Sequence, residues 1–147
     1  MKPINEMRLR IESRSVNEAF ARAAVAAFVS QLDPTLEEIS DIKTAVSEAV
    51  TKCIVHAYAD SVGQIYIWAG LYEDGGVRIK IRDTGCGIED VKKAMEPLYT
   101  TLGEERAGLG FAVMESFCDK LGVRSAPGKG TTVTLTKYIK GRNGGDD

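Results

Sequence analysis

Asp83 stands at the end of an alternating run, Ile79-Lys80-Ile81-Arg82, and is followed at once by Thr84-Gly85-Cys86-Gly87. The run reads as a strand, so the carboxylate is fixed where a strand gives way to a turn. Two glycines one residue apart allow positive φ and let another group come close to the backbone. A second glycine pair, Gly108-Leu109-Gly110, stands before an apolar run expected to form a helix over 109–121. Amides at a helix start lack intrahelical acceptors and sit at the positive end of the dipole, which suits phosphate. Either glycine pair taken singly can equally be a tight turn or an ordinary helix start. The dinucleotide pattern G-x-G-x-x-G fails here, because Ile88-Glu89-Asp90 follow Gly87. A carboxylate for a base edge and a cradle for phosphate together suggest a nucleotide.

Such a site needs elements that hold it. From Leu36 the apolar residues Ile39, Ile42, Val46, Ala49, Val50, Cys53 and Ala57 recur with helical period. Glu48, Lys52 and His56 follow one another at four-residue spacing, roughly on the opposite side at about 100° per residue. That helix can floor a pocket with Glu48 facing in, or carry an exposed Glu48–Lys52 pair contributing about 0.2–0.5 kcal/mol. Upstream, residues 7–13 alternate as a strand. Ser15 or Asn17 can cap a first helix, with Glu18 placed to complete a capping box. That helix carries Val16, Phe20, Ala23, Ala24, Ala27, Phe28 and Leu32, of which Phe20, Ala24, Ala27 and Phe28 are expected to face the core. Asp33-Pro34-Thr35 breaks the chain and caps the pocket helix, with Glu37 and Glu38 in its first turn.

Downstream, residues 63–72 and 77–83 form a hairpin about the turn 73–76, in which Trp68 and the tyrosines pack on the sheet. A short helix over 89–95 is stopped by Pro97, and the polar stretch 98–106 has the length of a lid or binding loop. Phe111, Val113, Met114, Phe117 and Leu121 give the next helix its stripe. Residues 125–130 are a turn, 131–139 a final strand and 140–147 a polar tail. The order is β-α-α-β-β-α-α-β-β. It predicts an α/β sandwich whose helices cover one face of a mixed, mainly antiparallel sheet.

The 147 residues suffice for one domain, expected over 1–139, with a disordered tail at 140–147. Lysine and arginine total 19 against 21 acids, so no basic footprint for nucleic acid shows. No apolar run has the ~20 residues of a membrane span, and the polar start does not read as a signal peptide. Cys53, Cys86 and Cys118 have no metal-type spacing, and their odd number argues against a disulfide framework. A cytoplasmic protein with reduced thiols is expected.

Asp-x-Gly-x-Gly after a strand, Gly-x-Gly before a helix, an upstream helical Glu48 and Gly130-Thr131-Thr132 on a last strand resemble the gyrase/chaperone/histidine-kinase (Bergerat) ATPases. Ser-Glu-Ala-Val-Thr at 47–51, Pro-Leu-Tyr-Thr-Thr at 97–101 and Gly-Leu-Gly-Phe at 108–111 are similar to the branch of bacterial anti-sigma serine kinases. The compact size fits that branch. The resemblance implies that Asp83 and Thr131 bind adenine, with Gly85 and Gly87 letting base and ribose lie against the backbone. It implies ATP or ADP with Mg²⁺ as cofactors, with Thr100, Thr101, Gly108, Leu109 and Gly110 holding the phosphates and Arg106 reaching the terminal one. Glu48 would be the general base towards a serine hydroxyl. The partners implied are a sporulation sigma factor (sigma F-like), held inactive, an anti-anti-sigma factor phosphorylated on serine, and a second copy in a homodimer. Arg22, on the first helix, is the expected partner contact.

One residue departs from the pattern. The family carries Asn four residues after the Glu, and its amide oxygen ligates Mg²⁺; here that position is Lys52. A charged ammonium has no lone pair for a metal. The main expectation is a serine kinase that sequesters a sigma factor. The alternatives are a nucleotide-responsive sigma-binding module with little kinase activity, and a detached histidine-kinase catalytic domain. The last is disfavoured because no phospho-acceptor region accompanies it.

Overall fold

The computed structural model describes residues 1–88, 91 and 105–141, with the backbone alone for 105–109. In chain order the elements are β1 (Asn5–Glu12), α1 (Asn17–Val29), α2 (Leu36–Lys52), β2 (Gln64–Leu71), β3 (Gly76–Asp83), α3 (Glu105–Phe117), β4 (Lys120–Ala126) and β5 (Gly130–Tyr138). A 3-10 turn (Ser30–Leu32) follows α1, and a π-helical turn (Cys53–Ala57) extends α2. The strands form one sheet in the order β1-β2-β3-β5-β4. Every pairing among them is antiparallel. The expected sandwich is therefore present, with α1, α2 and α3 on one face, and its sheet is wholly antiparallel where a mixed one was expected. The short helix expected at 89–95 falls outside the described residues except for Val91, which is helical. The loop at 98–104 and residues 142–147 also lie outside them.

Period-two alternation decides which side of each strand is buried. Ile65, Ile67, Ala69 and Leu71 of β2, Val77, Ile79 and Ile81 of β3, and Val133 and Leu135 of β5 turn inward. Against them α2 packs Ile42, Val46, Ala49 and Val50, and the π turn adds Cys53, much as the stripe predicts. A capping box holds the start of α2: Thr35 Oγ1 accepts from the Glu38 amide at 3.1 Å, and the Glu38 carboxylate accepts from the Thr35 amide at 2.9 Å. Glu38 also accepts from the amides of Lys140 and Gly141, so the first two residues of the expected tail are tied to the domain. Desolvation pushes the Glu38 pKa up, but the backbone amides of Thr35, Lys140 and Gly141 together hold it below the usual value.

Two helices depart from expectation. The buried side of α1 is Ala21, Val25, Ala26 and Val29, while Phe20 is 53 % exposed and Ala27 is also exposed. Alanines lie on every side of this helix, so periodicity does not select a face. Small residues at 21, 25 and 29 let the helix axis approach the layer beneath, where phenylalanine would hold it off. No side chain caps α1, and Glu18 bonds the Ser47 hydroxyl of α2 instead. The helix α3 starts at Glu105 and stops at Phe117, and Leu121 belongs to β4. Phe111 and Met114 are buried, but Phe117 is exposed at the end of the helix. Glu105, Arg106 and Ala107 are better helix residues than glycine, and an acid is favourable in a first turn, so the helix begins ahead of both glycines.

The outer face of the sheet is polar. Arg82 lies over the Tyr66 ring at 4.2 Å and Lys80 over Trp68 at 5.3 Å. The Trp68 indole donates to Glu6 at 2.8 Å. The aromatic rings of β2 thus serve the sheet face, as the sequence suggests.

Candidate functional site

Asp83 closes β3 opposite Thr131 of β5 and Ile65 of β2, and it is 4 % exposed. One carboxylate oxygen, Oδ1, accepts from the Gly85 amide at 3.0 Å and the Thr131 amide at 3.2 Å. The other, Oδ2, faces the Cys53 thiol at 3.6 Å. Burial, and after it the Asp83 charge, pushes the Cys53 pKa well above its usual value, so the sulfur stays protonated and donates. Two backbone donors on one oxygen fix the plane of the carboxylate and leave lone-pair capacity on the other. That arrangement accepts a hydrogen from an amino group.

The turn after Asp83 is clamped on three sides. The Tyr58 hydroxyl accepts from the Thr84 amide at 2.7 Å and donates to the Gln64 carbonyl at 2.8 Å. The Cys86 amide donates to the Ala57 carbonyl, and the Cys86 carbonyl accepts from the Gly128 amide. Ser125 Oγ accepts from the Ile88 amide at 2.8 Å, donates to the Gly130 carbonyl and lies 2.7 Å from Thr131 Oγ1. A Cβ at Gly85 would stand 2.3 Å from the Ala57 carbonyl oxygen. At Gly87, with φ +75°, it would stand 2.0 Å from the Ala126 carbonyl oxygen. On the side where a Cβ would project, each glycine is packed against the chain's own backbone. The glycines are required because the π turn and the β4–β5 hairpin close on the turn from either side.

Two adjoining cavities follow. Asp83, Thr131, Gly87, Ile88, Cys53 and Ala49 are among the walls of a narrow one of about 30 Å³. That is room for about one water. Glu48, Thr51, Val55, Gly110 and Val113 line a wider one of about 340 Å³. Lys52 and His56 line both and stand at their junction. The Lys52 ammonium lies 4.1 Å from the centre of the Phe111 ring of α3. Gly110 is buried against Glu48, whose Oε2 is 3.5 Å from where a Cβ on that glycine would lie.

The fold thus brings Asp83, Thr131, Gly85 and Gly87 together at one end, and Glu48, Lys52 and Gly110 at the other. Gly108 and Gly110 lie within α3 and do not precede it, so the unpaired amides of the helix start belong to residues before Gly108. Arg106, Gly108 and Leu109 are placed by backbone only, in the first turns of α3, while Thr100 and Thr101 fall outside the described residues. Arg22 lines neither cavity. It pairs with Glu18 at 3.2 Å, and Glu18 is held by Ser47, the residue before Glu48. Sequence reasoning passed over Tyr58 and Ser125, whose hydroxyls hold the site turn, because nothing in local spacing marks a long-range hydroxyl contact. Cys53 was visible only as a member of the core stripe.

The sequence matches the histidine kinase-like ATPase domain over residues 11–137. It is 61 % identical over 140 residues to the anti-sigma F factor of Caldanaerobacter subterraneus subsp. tengcongensis, covering 95 % of this chain and 96 % of that protein. It is 52 % identical over 136 residues to the anti-sigma F factor of Geobacillus kaustophilus, covering 92 % and 93 %. The fold is similar to a crystal structure of the RsbU and RsbW domains of a Mycobacterium tuberculosis protein, with TM-score 0.69 and 24 % identity over 93 % of this chain and 33 % of that one. The chain belongs to the histidine kinase-like ATPase family and, within it, groups with the anti-sigma F factors. An ATPase domain of this kind carries a nucleotide site. No helix among the described residues is long and apolar enough to cross a membrane.

A divalent cation fits this wall poorly. Among the described residues Glu48 is the only carboxylate lining the wider cavity, with an ammonium one helical turn away. Among the described residues no group of three or more His, Cys, Asp and Glu could hold a metal ion. Mg²⁺ in a nucleotide site takes most of its oxygens from phosphate and water, but the Lys52 ammonium beside Glu48 offers it no lone pair and repels it.

Proposed function

We propose that this chain is an anti-sigma factor that holds a sporulation sigma factor of the sigma F type inactive, and that it phosphorylates an anti-anti-sigma protein on serine with ATP. The observation that carries the reading is the Asp83 carboxylate, oriented by the Gly85 and Thr131 amides and facing the cavity that leads past Lys52 to Glu48. Asp83 accepts from the adenine amino group, and Thr131 lies beside it. The phosphates extend towards the first turn of α3, where Arg106 and the unpaired amides meet them. Glu48 takes the proton of the serine hydroxyl as its oxygen bonds to the terminal phosphorus, and ADP leaves with the bridging oxygen. No step is assigned to a metal. Arg22 on α1 offers the contact to sigma, in a cytoplasmic homodimer.

A second reading rests on Lys52: a nucleotide-responsive sigma-binding module with little kinase activity. Incubating the chain with ATP, with and without Mg²⁺, and a candidate anti-anti-sigma protein separates the two. Serine phosphate detected by mass spectrometry supports the kinase. Sigma binding that responds to nucleotide with no phosphate formed supports the module. Sigma binding in neither state overturns both.

A further inference from the structure

The mismatch between this wall and a divalent cation leaves nucleotide phosphates in need of another counter-charge, and one side chain is placed to supply it. Lys52 and His56 are the residues common to both cavities, so the lysine stands between the end that holds Asp83 and the end that holds Glu48 and Gly110. A nucleotide spanning the two must pass it. The Phe111 ring, 4.1 Å from the ammonium, holds the charge against the face of α3, the helix whose first turn provides unpaired amides. An ammonium has three donors and no acceptor, which suits phosphate oxygens and excludes metal ligation. It also repels a divalent ion placed beside it.

We propose that Lys52 takes the place of a divalent cation in this site: its ammonium, carried on Phe111 where the cavities join, binds the phosphates of ADP or ATP directly, so that nucleotide binds without Mg²⁺. This rests on the nucleotide reading of the cavities.

Calorimetry of the whole chain with ADP, in EDTA and in millimolar Mg²⁺, tests it, with adenosine as a probe that carries no phosphate. The parent chain should bind ADP with the same affinity in both buffers, to within about a factor of two. Lys52→Met should weaken ADP binding in EDTA by about tenfold, the size of one charge-assisted hydrogen bond, and leave adenosine binding unchanged. ADP affinity in the parent chain that rises about tenfold on adding Mg²⁺ would overturn the proposal. So would Lys52→Met that keeps full ADP affinity in EDTA, or loses adenosine in proportion, since the latter marks a structural role. If the parent chain binds neither ADP nor adenosine in either buffer, the nucleotide reading itself fails and takes this proposal with it.

Discussion

Replacing Asp83 by Asn changes one atom in the site and keeps its shape. Asp83 Oδ1 accepts two backbone amides, from Gly85 and Thr131, so the variant must keep its amide oxygen there. The amide nitrogen then occupies the Oδ2 position, facing the Cys53 thiol and the cavity. A donor now meets the adenine amino group, itself a donor. The flipped rotamer is worse, because it sets an NH₂ against two backbone N–H groups. The complex loses one hydrogen bond to a charged acceptor, about 1.5–3 kcal/mol, and leaves a buried donor unpaired, about 1–3 kcal/mol more. The smallest combined loss, about 2.5 kcal/mol, weakens binding some fiftyfold or more at 1.4 kcal/mol per factor of ten. Calorimetry with ADP measures it. Thermal unfolding should move little, because the two backbone bonds survive. Unchanged ADP affinity in the folded variant would remove Asp83 from adenine recognition.

Gly87→Ala should destabilise the domain by about 2–4 kcal/mol, since φ is +75° and the new methyl would meet the Ala126 carbonyl; a denaturant midpoint equal to the parent's would contradict the packing described. Glu38→Ala should cost about 1–2 kcal/mol through the lost capping box and the released Lys140 and Gly141 amides. Because the Glu38 pKa is lower in the folded state, its contribution is present above the unfolded value of about 4.5 and is lost as pH falls through the folded value; an acid titration of parent and variant should therefore converge at low pH. Arg22→Glu breaks the pair with Glu18 and should impair sigma binding while leaving ADP affinity intact; loss of both would point to misfolding. Lys52→Asn exchanges the ammonium for an amide oxygen and should make serine phosphorylation rise across a Mg²⁺ titration relative to the parent. Two like charges about 4 Å apart oppose each other by roughly 4 kcal/mol at an effective dielectric near 20, enough to govern metal occupancy. Superimposable Mg²⁺ profiles would exclude Lys52 from metal discrimination.

Local chemistry is what the sequence alone determines about this protein. The alternation that ends on Asp83, the cap at Thr35 with Glu38 in the first turn, and the stripe from Ile42 to Cys53 are set by residues a few positions apart, and each appears where the pattern puts it. The motifs that hold Glu48, Asp83, Gly108-Leu109-Gly110 and Gly130-Thr131 also carry the resemblance to the family that the comparisons bear out. Whatever depends on residues far apart was decided by the tertiary structure. Helix α1 offers alanines all round, so the closeness of its approach to the layer beneath, and not its period, chose Ala21, Val25 and Val29 for burial. Gly85 and Gly87 also have a packing reason to be glycine that the sequence does not show, because the Ala57 and Ala126 carbonyls stand where a Cβ would lie. Cys53 reads as one more core residue, yet its thiol meets Asp83 because the π turn and the end of β3 converge. A residue's own type announces which bonds it can make; only the packing of distant segments determines which it does make.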